Sequence, residues 1–185
     1  MQAFLVSLSS VAMAEMGDRT QLLSLMLAAR FRQPWPILGG VLAATLANHL
    51  AAGAVGTLFG RFLTPTVLDA VVGISMIAMA VWTLKPDTLD KDAAIKGTSA
   101  FLATLAAFFM AEIGDKTQIA TIALAAAYSN LAAVVAGTTL GMMAANVPVI
   151  FLGSAFANRL PMKAINYGAA ALFFVIGVFF LIRAL

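Results

Sequence analysis

The chain has 185 residues, of which 62% are apolar and only 10% charged, and its mean hydropathy is +0.99. Soluble domains carry about 25% charged residues, so this composition excludes a soluble globular protein and marks an integral membrane protein. The net charge of +3 reads as loop lysines and arginines facing anionic lipid, with no nucleic-acid footprint, and the absence of cysteine excludes disulfides and thiolate metal sites.

At roughly 20 residues per span, the length allows about six spans with short connections and no soluble domain. The first span is expected over residues 2–29, and it is read as retained because no basic segment or cleavage site precedes it. A polar motif interrupts it near its middle. Arg30, Arg32, Pro34, Trp35 and Pro36 make the first turn, with Trp35 suited to the membrane interface and Pro36 to the opening of the next helix. The second span, residues 37–59, carries Thr45, Asn48 and His49. After Arg61 and Pro65 comes a third span, residues 66–84, with Asp69 expected in a first turn where the helix dipole favours an acid.

Residues 85–97 hold Pro86, three lysines and three aspartates and form the exposed connection between two halves. The fourth span, residues 98–127, leads through Tyr128-Ser129-Asn130 to the fifth, residues 131–157, which contains Asn146 and Pro148. That proline deprives a carbonyl one turn earlier of its partner, which is tolerated in a membrane only where another group satisfies it. Arg159, Pro161 and Lys163 turn the chain into the sixth span, residues 164–182.

The motif Ala14-Glu15-Met16-Gly17-Asp18-Arg19-Thr20-Gln21 of the first span returns in the fourth as Ala111-Glu112-Ile113-Gly114-Asp115-Lys116-Thr117-Gln118. Asn48 answers Asn146 and Arg61 answers Arg159 at almost the same offset. The chain therefore reads as a three-helix repeat over residues 1–84, a cytoplasmic linker over 85–97 and a second three-helix repeat over 98–185. An odd number of spans reverses the second half. The expected fold is an all-α polytopic membrane protein, six transmembrane helices arranged as two inverted-topology repeats, with a substrate site near the bilayer midplane. Arg30, Arg32, Lys85, Lys91, Lys96, Arg159 and Lys163 fall on one side against Arg61 and Arg183 on the other, so both termini are expected on the non-cytoplasmic side.

Of eight acidic residues, Glu15, Asp18, Glu112 and Asp115 lie at membrane depth. Each costs at least about 2.5 kcal/mol at the centre of a span, so four without a task would be hard to explain. Ion pairs four residues apart, Glu15 with Arg19 and Glu112 with Lys116, would be the bland alternative. On a continuous helix Glu15, Asp18 and Gln21 share one arc, as do Glu112, Asp115 and Gln118, and two such faces make a cage of hard oxygen ligands suited to calcium, magnesium or manganese. Thr20, Thr117, Arg19, Lys116, Asn48 and Asn146 are read as supporting or gating residues. Gly17 and Gly114 permit either close helix approach or a local break that bares carbonyls. His49, matched with Val147 in the second half, reads as a hydrogen-bonded packing residue or a proton carrier, and the ten methionines as filling. Four acids and two bases leave a formal charge of minus two, which one divalent cation cancels; competition between that ion and protons for the carboxylates then yields exchange.

Glu-x-Gly-Asp-(Lys/Arg)-Thr, twice, in a small six-span chain, resembles the Golgi and chloroplast divalent-cation transporter family, whose bacterial members include manganese exporters of the Mne type. The resemblance covers nearly the whole chain. It implies a secondary transporter, not an enzyme, that exports manganese, or else calcium, from the cytosol across a bacterial plasma membrane in exchange for protons. The motif acids are its implied ion site, the cation is substrate, and no cofactor is expected. Whether the chain forms a homo-oligomer stays open. A proton-coupled exporter of amino acids, an inverted-repeat membrane phosphatase and a scaffold are the competing readings.

Overall fold

The computed structural model describes residues 1–85, 99–153 and 161–185, so the expected linker beyond residue 85, Arg159 and the end of the fifth span lie outside the described residues. Those residues form eight helices and no strand. Residues 2–29 are split into α1 (Gln2–Glu15) and α2 (Arg19–Phe31). Next come α3 (Pro34–Gly60) and α4 (Pro65–Thr83). The fourth span is split in the same way, into α5 (Ala100–Glu112) and α6 (Lys116–Ala127), and α7 (Leu131–Leu152) and α8 (Met162–Arg183) follow.

Local chemistry explains the boundaries. Prolines open α3 and α4, where a missing N–H costs nothing. The side chains of Ser99 and Asn130 accept from Leu102 N–H and Ala133 N–H at the starts of α5 and α7, at 3.4 and 2.9 Å. Arg32 closes α2 in a left-handed conformation, φ 54°, and its N–H returns to the Ala28 carbonyl. Asp69, expected in the first turn of its helix, instead lies beyond it and pairs at 3.3 Å with Arg183 at the far end of α8.

The polarity is inside out, as a lipid solvent demands. Leu46, Leu50, Ile74, Val81 and Phe174 face outward, while Ser7, Ser10, Thr104, Thr138 and Thr139 are buried. Four helices, α3, α4, α7 and α8, are long and apolar enough to cross a membrane singly. Helices this apolar gain nothing by hiding from lipid and associate through close packing of small residues. A Cβ on Gly40 of α3 would lie 2.8 Å from the Phe101 carbonyl and 2.7 Å from Thr104 Cβ of α5. One on Gly137 of α7 would lie 2.5 Å from the Phe4 carbonyl and 2.9 Å from Ser7 Cβ of α1.

These two crossings are the same contact made twice, since each residue is displaced from its counterpart by the interval that separates Glu15 from Glu112. That register corrects one sequence match. It sets His49, not Asn48, opposite Asn146, because the Asn48–Asn146 pairing is one residue longer and one residue turns a helix by about 100°. The successive contacts also give directions: α1 runs parallel to α7, and α3 parallel to α5 as Gly40 meets Phe101 and Asn48 meets Phe109, while Gly73 against Gly177 and Asp69 against Arg183 make α4 and α8 antiparallel.

Two apolar clusters flank the centre. Val72, Met76, Phe173 and Phe180 join α4 to α8 and reach Leu124 of α6. Leu23, Leu27, Ile37, Val41 and Phe108 join α2, α3 and α5. Met76, Met79 and Met142 are wholly buried or nearly so, the filling role expected of them.

Candidate cation site

Both motifs break their helix, so the continuous arc expected for Glu15, Asp18 and Gln21, and for Glu112, Asp115 and Gln118, does not form. Gly17 and Gly114 adopt φ of 81° and 73°, a left-handed conformation that glycine enters without a Cβ penalty. Around them the backbones match closely: Met16 and Ile113 both have φ −64°, and Asp18 and Asp115 have ψ of 166° and 161°. In each break the aspartate N–H returns to the glutamate carbonyl at 3.1 Å. The glutamine then caps the break, since Gln21 Oε1 accepts from Gly17 N–H and Gln118 Oε1 from Gly114 N–H, both at 2.8 Å.

The break puts the two acids of a motif on unlike helix ends. Asp18 and Asp115 are the N-caps of α2 and α6, where the helix dipole favours a negative charge. Glu15 and Glu112 end α1 and α5, where carbonyls and dipole are negative already. A carboxylate buried there calls for a cation or a proton. Glu15 Oε1 and Glu112 Oε2 are both buried with no hydrogen-bond partner among the described residues.

The two motifs meet directly and exchange partners. Arg19 of the first pairs with Asp115 of the second at 2.9 Å, and Lys116 of the second with Asp18 of the first at 2.5 Å. The ion pairs thus tie one half of the chain to the other, whereas the bland alternative placed them along single helices. Carboxylate oxygens of Glu15, Asp18 and Asp115 all lie within 4.8 Å of one another, and all three residues are buried. Such a group can hold one ion. Its ligands are hard oxygens, the donor type of calcium, magnesium and manganese.

The other expected residues surround this triad. Thr20 donates to Glu15 Oε2, and Thr117 donates to Asp115 Oδ2 at 3.2 Å. Glu112 stands outside the triad, its Oε1 accepting from Thr45 at 2.7 Å. Gln21 and Gln118 commit their carbonyl oxygens to the glycines, and Gln21 Nε2 donates to the Ala145 carbonyl at 2.9 Å, beside the carbonyl that Pro148 frees in α7. Asn48 donates to the Phe109 carbonyl of α5 at 3.2 Å, one turn before Glu112. Asn146 accepts from Ser24 of α2 at 2.6 Å and donates to the Met142 carbonyl at 3.1 Å. His49 is buried, and neither ring nitrogen has a hydrogen-bond partner among the described residues, unlike the bonded packing residue expected.

Sequence reasoning named Thr45 only as a polar residue of its span, with no role at the site, and passed over Ser24. Each carried a signal, for Thr45 precedes Asn48 by three residues and Ser24 follows Gln21 by three, so each extends a polar face in an apolar helix.

No solved structure matches the chain. A Vibrio cholerae protein named "Putative manganese exporter" is 46% identical over 179 residues, which span 96% of this chain and 90% of that protein. A GDT1-like protein of Synechocystis is 28% identical, covering 95% of each chain, and a chloroplastic PAM71 homologue of Arabidopsis thaliana is 27% identical over 93% of this chain and 57% of its own. The family described as divalent cation/proton antiporter GDT1 matches residues 3–91 and 100–185, nearly the whole chain in two stretches that each hold one motif. The chain therefore belongs to the GDT1 family of divalent cation/proton antiporters, membrane transporters and not enzymes.

Proposed function

We propose that this protein exports manganese from the cytosol in exchange for protons, through one oxygen-ligand site shared by the two motifs. The observation that carries the reading is the cross-paired meeting of the motifs, with Glu15, Asp18 and Asp115 within 4.8 Å of one another. Helices broken at membrane depth are a device of secondary transporters, whose half-helix C-terminal ends receive cations. Glu15 and Glu112 end two such half-helices. Manganese ranks ahead of calcium because the Vibrio cholerae relative bears that metal in its name. Protons follow from charge: four acids and two bases sum to minus two, and the ion-free site relieves that surplus by taking up protons that the next metal ion must expel.

The proposed architecture is six passes in two inverted repeats, residues 1–84 and 98–185, with α1–α2 and α5–α6 each making one broken pass. Alternating passes require the first and fifth to run parallel, the second and fourth parallel, and the third and sixth antiparallel. The directions of α1 with α7, α3 with α5 and α4 with α8 support that order. The excess of arginine and lysine in the odd-numbered connections speaks for a plasma-membrane orientation with both termini outside the cytoplasm.

Purified protein in proteoliposomes, loaded with a pH indicator and offered manganese, calcium and magnesium in turn, tests the reading. Manganese flux with an opposing proton flux, strengthened by an imposed pH gradient, is expected. No flux of any of the three ions would overturn the site, and flux indifferent to pH would replace exchange by a channel.

A further inference from the structure

The two basic residues of the motifs occupy unlike places. Arg19 leaves 34% of its side chain exposed while pairing with Asp115, whereas Lys116 leaves 4% exposed while pairing with Asp18, which is fully buried. Lys116 is also the first residue of α6, where the helix dipole is positive and an ammonium is held against the field of its own helix. The carboxylate of Asp18 in the other half helps to hold it there. Asp18 is one of the three acids able to share an ion, and the oxygen that contacts Nζ is Oδ1. A divalent cation that takes this oxygen meets a like charge in contact with it.

We propose that Lys116 is a tethered competitor for the cation, its ammonium holding Asp18 while the site is empty, leaving as a divalent ion enters, and returning to expel the ion on release. The inference rests on the shared-site reading above. Lysine suits this task because its compact charge sits on four flexible methylenes, while the guanidinium of Arg19 binds through a rigid fork and is less readily displaced. The two motifs then divide the labour. Arg19 holds the halves together through Asp115, and Lys116 sets how tightly the ion binds and how fast it departs.

Manganese(II) binding to the purified protein, read by loss of the free-ion paramagnetic resonance signal, tests this together with transport in proteoliposomes. Lys116→Met should bind manganese about tenfold tighter or more, the factor that one charge-assisted hydrogen bond supplies. It should also lower both the apparent KM and the maximal transport rate, since release slows. Lys116→Arg, which recreates the first motif and keeps the charge, should bind more weakly than wild type; it decides the matter if the methionine variant does not fold. A merely structural lysine would lower the rate without lowering KM. Glu15→Gln separates the two levels of the argument. If wild type and Glu15→Gln bind manganese equally, the shared site falls; if Glu15→Gln loses binding but neither lysine variant shifts affinity as stated, only the competitor falls.

Discussion

The two copies of the motif share a backbone and differ in surroundings. Gly17 and Gly114, the glutamine caps and the aspartate N-caps repeat almost angle for angle. Beyond the backbone the match fails. Glu15 joins the triad and accepts from Thr20 of its own motif, whereas Glu112 stands aside and accepts from Thr45 of α3. The position equivalent to Thr45 in α7 is Met142, which offers no hydroxyl. Around the motifs, α4 packs against α6 while, among the described residues, α8 makes no comparable contact with α2. The two motifs thus form matching breaks in unlike surroundings, an asymmetry that suits the proposed single ion released to one side at a time.

The sharpest way to break this comparison is to neutralise the two glutamates separately. Both Glu15→Gln and Glu112→Gln should abolish transport. Their binding should differ: Glu15→Gln should weaken manganese binding by about a hundredfold or more, and Glu112→Gln by about tenfold, the lower end for a residue outside the ligand shell. Equal losses of binding would mean that the triad is not the resting ion site.

A smaller effect sharpens the likeness of the two backbones. A Cβ at Gly114 would meet no atom within 4 Å, so Gly114→Ala suffers only the left-handed strain, about 1–2 kcal/mol. Thermal unfolding in detergent should show that loss, and Gly17→Ala, at nearly the same φ but part-buried where Gly114 is exposed, should lose at least as much. A Gly17→Ala variant that loses clearly less than Gly114→Ala would show that the breaks are not equivalent.

Much of the fold was legible because lipid imposes long apolar runs and because the motif is duplicated. Pro65 and Asn130 stand at helix starts by chemistry that acts within one turn, whereas α3 opens at Pro34, ahead of the expected Pro36, and α5 after Ser99, which the sequence reading did not single out. The break at Gly17 and Gly114 was legible only as one of two alternatives, since a membrane-helix glycine serves close packing as readily as a bend. Gly40 and Gly137 in fact pack closely, and Gly114 bends. The exchange of partners between Arg19 and Lys116 was not legible at all, because residues four apart suggest an intrahelical pair and only the break turns each base toward the other half. The register of His49 against Asn146 was missed for a similar reason. Asparagine matched to asparagine is the better letter match, but helix packing obeys the interval set by Gly40 and Gly137.

The central claim is that both motifs hold one ion in common. Crystals grown with manganese, measured at wavelengths on either side of the manganese absorption edge, test it most directly. The account predicts a single anomalous peak within about 2.0–2.6 Å of carboxylate oxygens from Glu15, Asp18 and Asp115, with Lys116 Nζ withdrawn from Asp18. Two peaks, each bound by the acids of one motif alone, or a peak that leaves these three residues untouched, would contradict it.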